Sequence, residues 1–237
     1  MDTSTYTTLT RQSGLNSEMR SIANNIANMS TTGFRREGIV FSEFVSSPEE
    51  GPSVSMARAT VRDTWTTQGG LTQTGGTYDI AVEGEGFFLI QTPDGQRLSR
   101  AGNFAVSADS LLVTNDGYEV LDSGGAPVFI PQDAGEVAIA PDGTISVQGN
   151  PISQVGLVMP VNPDELTRQE GVTFIANAGV QPAENGRVMQ GFLENSNVNP
   201  IREIARMIEV QRAYELGQGF LDKEDARMRK VLETMSR

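Results

Sequence analysis

Near the start of the chain, apolar residues recur with the spacing of a single helix face. Leu15, Met19, Ile22, Ile26 and Met29 follow a 4-3-4-3 rhythm, which predicts one amphipathic helix. Gly33 is placed to adopt a left-handed conformation after its end. Phe34 would then fold back on Met29 in a Schellman termination. Residues 1–34 are accordingly read as an N-terminal helix. From Arg35 to about Thr74 the rhythm dissolves. SSPEEGPS breaks any helix, and the rest, which carries the single tryptophan, Trp65, is extended or β-prone, so 35–74 is read as an extended connector. Trp65 is expected to plug a small gap in a core.

The period then shortens. YDIAVEGEGFFLI alternates before running apolar, and short apolar stretches follow, punctuated by PDG, NDG, SGG and PDG turns. Residues 75–194 are read as an all-β domain. At NSNVNP the texture changes again: Asn199 is a credible N-cap, Pro200 a favoured first helical residue and Glu203 a first-turn acid. Met207, Val210, Tyr214, Gly217, Leu221, Glu224, Met228, Val231 and Met235 then fall at coiled-coil seam spacing, with Ile201, Ile204 and Ile208 as a second stripe. Residues 195–237 are thus read as a C-terminal helix. The expected fold class is α+β: a discontinuous helical coiled-coil domain made from both chain ends, plus a central all-β domain.

A lone helix of this length is marginal in water unless its apolar face is covered. Residues near 10–32 are therefore expected to pack against those near 200–235. SIANNIANMSTTGF also lacks any charge. On a helical wheel the apolar stripe lies within about 60° of Ile22, whereas Ala23, Ala27, Asn24 and Asn28 point elsewhere. Alanines allow close approach, and amides such as those of Asn24, Asn25 and Asn28 donate and accept at once. Such a face suits protein neighbours on several sides, copies of the same chain included.

Composition removes several chemistries. The chain has no His and no Cys, which excludes imidazole acid–base work, Ser–His triads, disulfides and thiol nucleophiles. Nothing in the sequence requires a cofactor or a metal: the Asp-Gly turns do not match the spacing of a calcium loop. Charge is segregated. Residues 1–46 carry four basic and four acidic side chains and residues 200–237 eight and seven, whereas residues 47–199 carry six and 19. An acidic middle between neutral ends argues against nucleic acid as a partner. No stretch approaches about 18 consecutive apolar residues, so no membrane insertion is expected. The opening MDTSTYTTLTRQSGL lacks the basic and apolar regions of a cleavable secretory signal.

SIANNIANMSTTGFRR resembles the N-terminal signature of the bacterial flagellar axial proteins, those of rod, hook and hook junction. The matching residues are Ala23, Asn24, Asn25, Ile26, Ala27 and Asn28, then Thr31, Gly33, Phe34 and Arg35. LENSNVNPIREIARMIEVQRAYE resembles the family's C-terminal motif, and YDIAVEGEGFFLI, RAGNF and LLVTNDGYEVL resemble the β-domain shared by rod and hook proteins. Length and the TLTRQSGLNSEMRSIANNIAN opening are most similar to proximal-rod members, with distal-rod members as the alternative. Where the family usually has long polar residues, this chain has LGQGF. Gly217 and Gly219 there serve close packing or a kink.

The resemblance implies a non-enzymatic structural subunit of the flagellar basal-body rod, with the β-domain facing outward and no cofactor. Its implied partners are copies of itself, adjacent rod proteins, the basal-body ring and the flagellar type III export apparatus. The implied location is the rod crossing the periplasm, reached without a cleaved signal. The expected assembly interface comprises Leu15, Met19, Ile22, Ala23, Asn24, Asn25, Ile26, Ala27, Asn28, Met29, Gly33 and Phe34 at one end. At the other it comprises Ile201, Ile204, Met207, Ile208, Val210, Tyr214, Leu221, Met228 and Val231. A competing reading is a secreted glycoside hydrolase using the paired carboxylates Glu83 and Glu85.

Overall fold

The computed structural model describes residues 3–46, 54–169 and 171–235. The chain divides into two compact units. One is built from Met1–Asn28, Arg36–Trp65 and Val198–Arg237, the other from Met29–Arg35 and Thr66–Asn197.

The first unit joins both ends of the chain. Helix α1 (Thr3–Ala27) is followed by strands β1 (Glu37–Ser46) and β2 (Val54–Thr64), which pair antiparallel with a bulge between Val40 and Phe41. The helix-breaking Pro-Gly stretch falls between these strands and lies, at residues 47–53, outside the described residues. The segment read as a connector therefore doubles back as a hairpin that packs, like helix α2 (Pro200–Met235), on α1. β-branched and aromatic residues favour the extended state locally, but only long-range packing decides that the two arms pair. Trp65 closes the hairpin with half its surface exposed, and the Arg36 guanidinium lies 4.6 Å from its ring centroid. It is a cation–π partner rather than a core plug.

α2 starts as its sequence dictates: Asn199 Oδ1 accepts the Arg202 amide at 3.1 Å, with Pro200 at the first helical position. The helix runs unbroken through both glycines. A Cβ on Gly217 would collide with the Gln12 side chain, whose Nε2 donates to the Tyr214 carbonyl at 2.9 Å. Gly217 thus serves close packing. Gly219 has nothing within 4 Å of a built Cβ. Gly219→Ala is expected to stabilise the unit by about 1 kcal/mol through helix propensity alone, a shift readable in urea unfolding. No stabilisation would mean the glycine answers a need outside the monomer.

The second unit is β-rich. In chain order its strands are β3 (Leu71–Gln73), β4 (Ile80–Glu83), β5 (Phe87–Thr92), β6 (Gly95–Ser99), β7 (Phe104–Val106), β8 (Leu112–Thr114) and β9 (Glu119–Leu121). Then come β10 (Val137–Ile139), β11 (Thr144–Val147), β12 (Asn150–Gln154), β13 (Leu157–Pro160), β14 (Leu166–Arg168), β15 (Thr173–Ala176), β16 (Val180–Pro182), β17 (Arg187–Gln190) and β18 (Phe192–Glu194). The main sheet runs β14-β15-β6-β5-β9-β8-β7, with β13 bridging β5 and β16. β5 explains why its sequence runs apolar: Phe87 and Leu89 enter one core cluster, and Phe88 and Ile90 enter another. A strand buried on both faces does not alternate. The Asp-Gly turns follow from local chemistry: Gly95, Gly117 and Gly143 have positive φ, and Asp142 Oδ1 accepts the Thr144 amide at 2.9 Å.

Candidate functional site

The two terminal helices run antiparallel. Gln12 reaches the Tyr214 carbonyl, Glu18 pairs with Arg206 at 2.7 Å, and Asn25 Nδ2 donates to Glu203 at 3.1 Å. As the α1 number rises, its partner's number falls. Of the expected interface residues in this unit, Ile22, Asn25 and Val210 are buried. Leu15, Met19, Asn24, Ile26, Asn28, Met207, Tyr214 and Leu221 are half-buried. Ala23, Ala27, Ile201, Ile204, Ile208, Met228 and Val231 are exposed, Ile201 at 80%. α1 therefore covers one side of the α2 seam, and only as far as about Glu224. Beyond that point Met228, Val231, Leu232 and Met235 stand in water. Leu9, Leu216 and Phe220 are exposed as well and were not among the expected residues; their positions off the seam hid them. Leu15, Leu216 and Phe220 border a cavity of about 360 Å³ between the helices.

The amide-rich face divides into two kinds of residue. Asn25 is fully buried and bridges three elements: its Nδ2 donates to the Glu37 carbonyl at 2.8 Å and to Glu203, and its Oδ1 accepts the Glu37 amide at 2.9 Å. Ser21 adds a bond to the same carbonyl, and Arg36 Nε pairs with Glu203 at 2.5 Å. This face of α1 is thus satisfied by its own chain. Asn28 donates to the Asn24 carbonyl and side-chain oxygens one turn earlier, and Asn24 reaches a Glu37 carboxylate oxygen at 3.3 Å.

Gly33, Phe34 and Met29 belong to the other unit and correct the expected helix ending. α1 stops at Ala27, and Phe34 donates to the Thr31 carbonyl rather than to Met29. Gly33 has φ +69°, and its amide donates to the Glu194 carbonyl at 2.7 Å. A Cβ there would collide with the backbone of Arg100 and Ala101. The glycine is required by close approach to the Arg100–Ala101 backbone within this unit, not by a Schellman cap. Met29 is exposed while Phe34 is buried, with the Arg168 guanidinium 4.5 Å from its ring centroid.

Arg35 follows into a charged cluster that sequence reading missed. Glu194 Oε1 lies 2.9 Å from Arg35 Nη2 and accepts the Gly69 amide at the same distance, and Oε2 accepts from Arg100 Nη1 at 3.1 Å. Arg35 also donates to the Thr67 carbonyl, Arg100 to the Gly84 carbonyl, and Arg168 to the Arg35 carbonyl. All three members of the Arg35–Glu194–Arg100 triad are buried. Burial pulls the Arg35 pKa down to about 10 against the opposing pull of Glu194, and lowers that of Arg100 for the same reason. Arg35 remains cationic near neutrality. Glu83 and Glu85 are exposed and flank Gly84, which with Gly86 has positive φ. This is the geometry of a bend. Among the described residues no group of three or more His, Cys, Asp or Glu could hold a metal ion, and no helix is long and apolar enough to cross a membrane.

The arrangement has known counterparts. The family model described as "Flagella basal body rod protein" matches residues 6–35. That described as "Flagellar hook protein FlgE/F/G D1 domain" matches residues 81–147, and "Flagellar basal body rod FlgEFG protein C-terminal" matches residues 189–234. The flagellar basal-body rod protein FlgF of Caulobacter vibrioides is 35% identical over 243 residues, spanning 100% of this chain and 99% of that protein. FlgF of Rhizobium meliloti is 34% identical over 99% of this chain and 98% of its own length. The flagellar basal-body rod protein FlgG of Bacillus subtilis is 33% identical over 94% and 95%.

Proposed function

The chain belongs to the flagellar basal-body rod protein family, and from that premise we propose that it is a structural subunit of the rod, at its proximal end, assembling through its terminal helices. One observation carries the reading: α2 presents large apolar side chains that α1 does not cover, with Ile201, Ile204 and Ile208 forming a stripe near its start. A fully exposed Ile gains roughly 1.5–3 kcal/mol on burial and the half-exposed Ile204 and Ile208 about half of that, so a neighbouring helix that covers the stripe is favoured. A contact of this kind is heterologous, one surface of a subunit meeting a different surface of the next. Where it does not close into a ring it builds a helical filament, the form a drive shaft requires.

Adjacent rod proteins and further copies of this chain are the partners such a surface suits, together with the basal-body ring. Passage through the flagellar type III export apparatus accounts for delivery to the rod. The role read from the family is mechanical and non-catalytic, and the exposed Glu83 and Glu85 serve a bend.

The double variant Ile201→Asp/Leu216→Asp tests the reading. Both side chains are more than three-quarters exposed, so monomer stability should stay within about 1 kcal/mol of the parent. Cells carrying it should lose swimming, and their purified basal bodies should lack the complete rod. Normal swimming, with the variant protein present in isolated rods, would overturn the assignment.

A further inference from the structure

The loop between β16 and β17 holds a chemistry that assembly does not use. Asn185 is the only asparagine of the chain followed by glycine. It sits exposed in a turn, and Gly186 stands just outside β17. Neither the Asn185 side chain nor the Gly186 amide is held by a hydrogen bond among the described residues, in contrast to Asn25, Asn177 and Asn197, whose side-chain amides are all engaged. Residues 183–186 pack on the bend at Gly84–Gly86: built Cβ atoms on Gly84 and Gly86 would lie 3.2 Å from the Asn185 carbonyl oxygen and 3.0 Å from the Ala183 side chain. A Cβ on Gly186 would collide with the Glu85 carbonyl. The residue after Asn185 must therefore be glycine, the one residue whose bare Cα leaves its own nitrogen unhindered as a nucleophile.

We propose that Asn185–Gly186 is a deamidation site of the folded protein. The Gly186 backbone nitrogen, losing its proton to solvent base, attacks the Asn185 Cγ. A C–N bond forms, the Cγ–Nδ2 bond breaks, and ammonia leaves from a five-membered succinimide. Water then opens either imide carbonyl, giving isoaspartate or aspartate, so the net change is one amide and one water converted into one carboxylate and ammonia. Isoaspartate lengthens the backbone by one carbon just before Gly186, one residue ahead of Arg187, the first residue of β17 to pair with β4, opposite Glu83. It also sets a new negative charge beside Glu184 and the exposed Glu83 and Glu85. The β4–β17 pair is loosened from its end.

The test incubates the full-length protein, folded, at mildly alkaline pH. Peptide mapping by mass spectrometry and isoaspartyl methyltransferase labelling then read the tryptic fragment 169–187. The expected result is progressive gain of the mass of NH replaced by O at Asn185, with methyl-accepting isoaspartate, faster than at any other asparagine and absent in Asn185→Ser. Amide exchange over 187–190 should rise in the modified fraction. A parallel sample in urea separates the intrinsic reactivity of the dipeptide from the effect of the fold. Isoaspartate at 185 in urea but not in the folded chain would overturn the proposal, as would folded protein in which other asparagines react first. Unchanged exchange over 187–190 would overturn its structural consequence.

Discussion

Glu194→Ala is expected to destabilise the β-rich unit by about 3–5 kcal/mol, the cost of leaving buried charge without its partner. Two guanidiniums share this one carboxylate, and a backbone amide uses it too. Removing it strands Arg35 and Arg100 as like charges in a site where burial already weakens their hold on protons. The loss is comparable to the whole stability of many domains, about 5–15 kcal/mol, so the unit should be partly unfolded at 37 °C. Urea unfolding followed by the signal of the β-rich unit measures it. The triple change Arg35→Met/Arg100→Met/Glu194→Leu should recover most of the loss, because a buried ionic group replaced whole by apolar side chains is often neutral. A single variant that unfolds like the parent would show that water reaches the cluster.

The outline of this fold was legible because it rests on periodicity. The 3.6-residue rhythm of Ile22 and its neighbours, the seam from Met207 onward and the Asp-Gly turns are local patterns, and local chemistry imposes them. The polar centres were not legible. Arg36 meets Glu203 across 167 positions and Asn25 meets it across 178, and no spacing rule links such partners. Asn25 was in principle within reach: it lies one turn from Ile22, about 60° away on the wheel, and so on the covered side. Its residue type argued for the surface and its angle for the core, and the angle was right. The Gly33–Phe34 pair misled in the opposite sense. A Gly-Phe after a helix resembles a cap, whereas Gly33 is kept by an approach to Arg100 and Ala101 that only the folded β-rich unit reveals.

That placement of Asn25 leads to the second large effect. Asn25→Asp changes one atom's chemistry and almost no volume, yet it replaces the two-hydrogen donor facing Glu203 and the Glu37 carbonyl with an acceptor. At neutral pH the introduced carboxylate would be buried beside the carboxylate of Glu203. Stranding each former partner costs about 1–3 kcal/mol, and like-charge repulsion adds to that, so helix pairing in the first unit should be lost or nearly so. Burial and the neighbouring charge both raise the introduced group's pKa in the folded state above its unfolded value. Stability contributed by the protonated form is then present below the unfolded pKa and lost as pH rises through the folded one. The variant should therefore regain helicity on mild acidification, the reverse of what simple acid denaturation gives. Asn24→Asp, half-buried and outside the three-element junction, should lose far less. Thermal unfolding monitored by helical circular dichroism at neutral and acidic pH separates the cases. If both variants unfold alike at every pH, Asn25 is one surface amide among several, and the junction of α1, β1 and α2 is held by its apolar contacts alone.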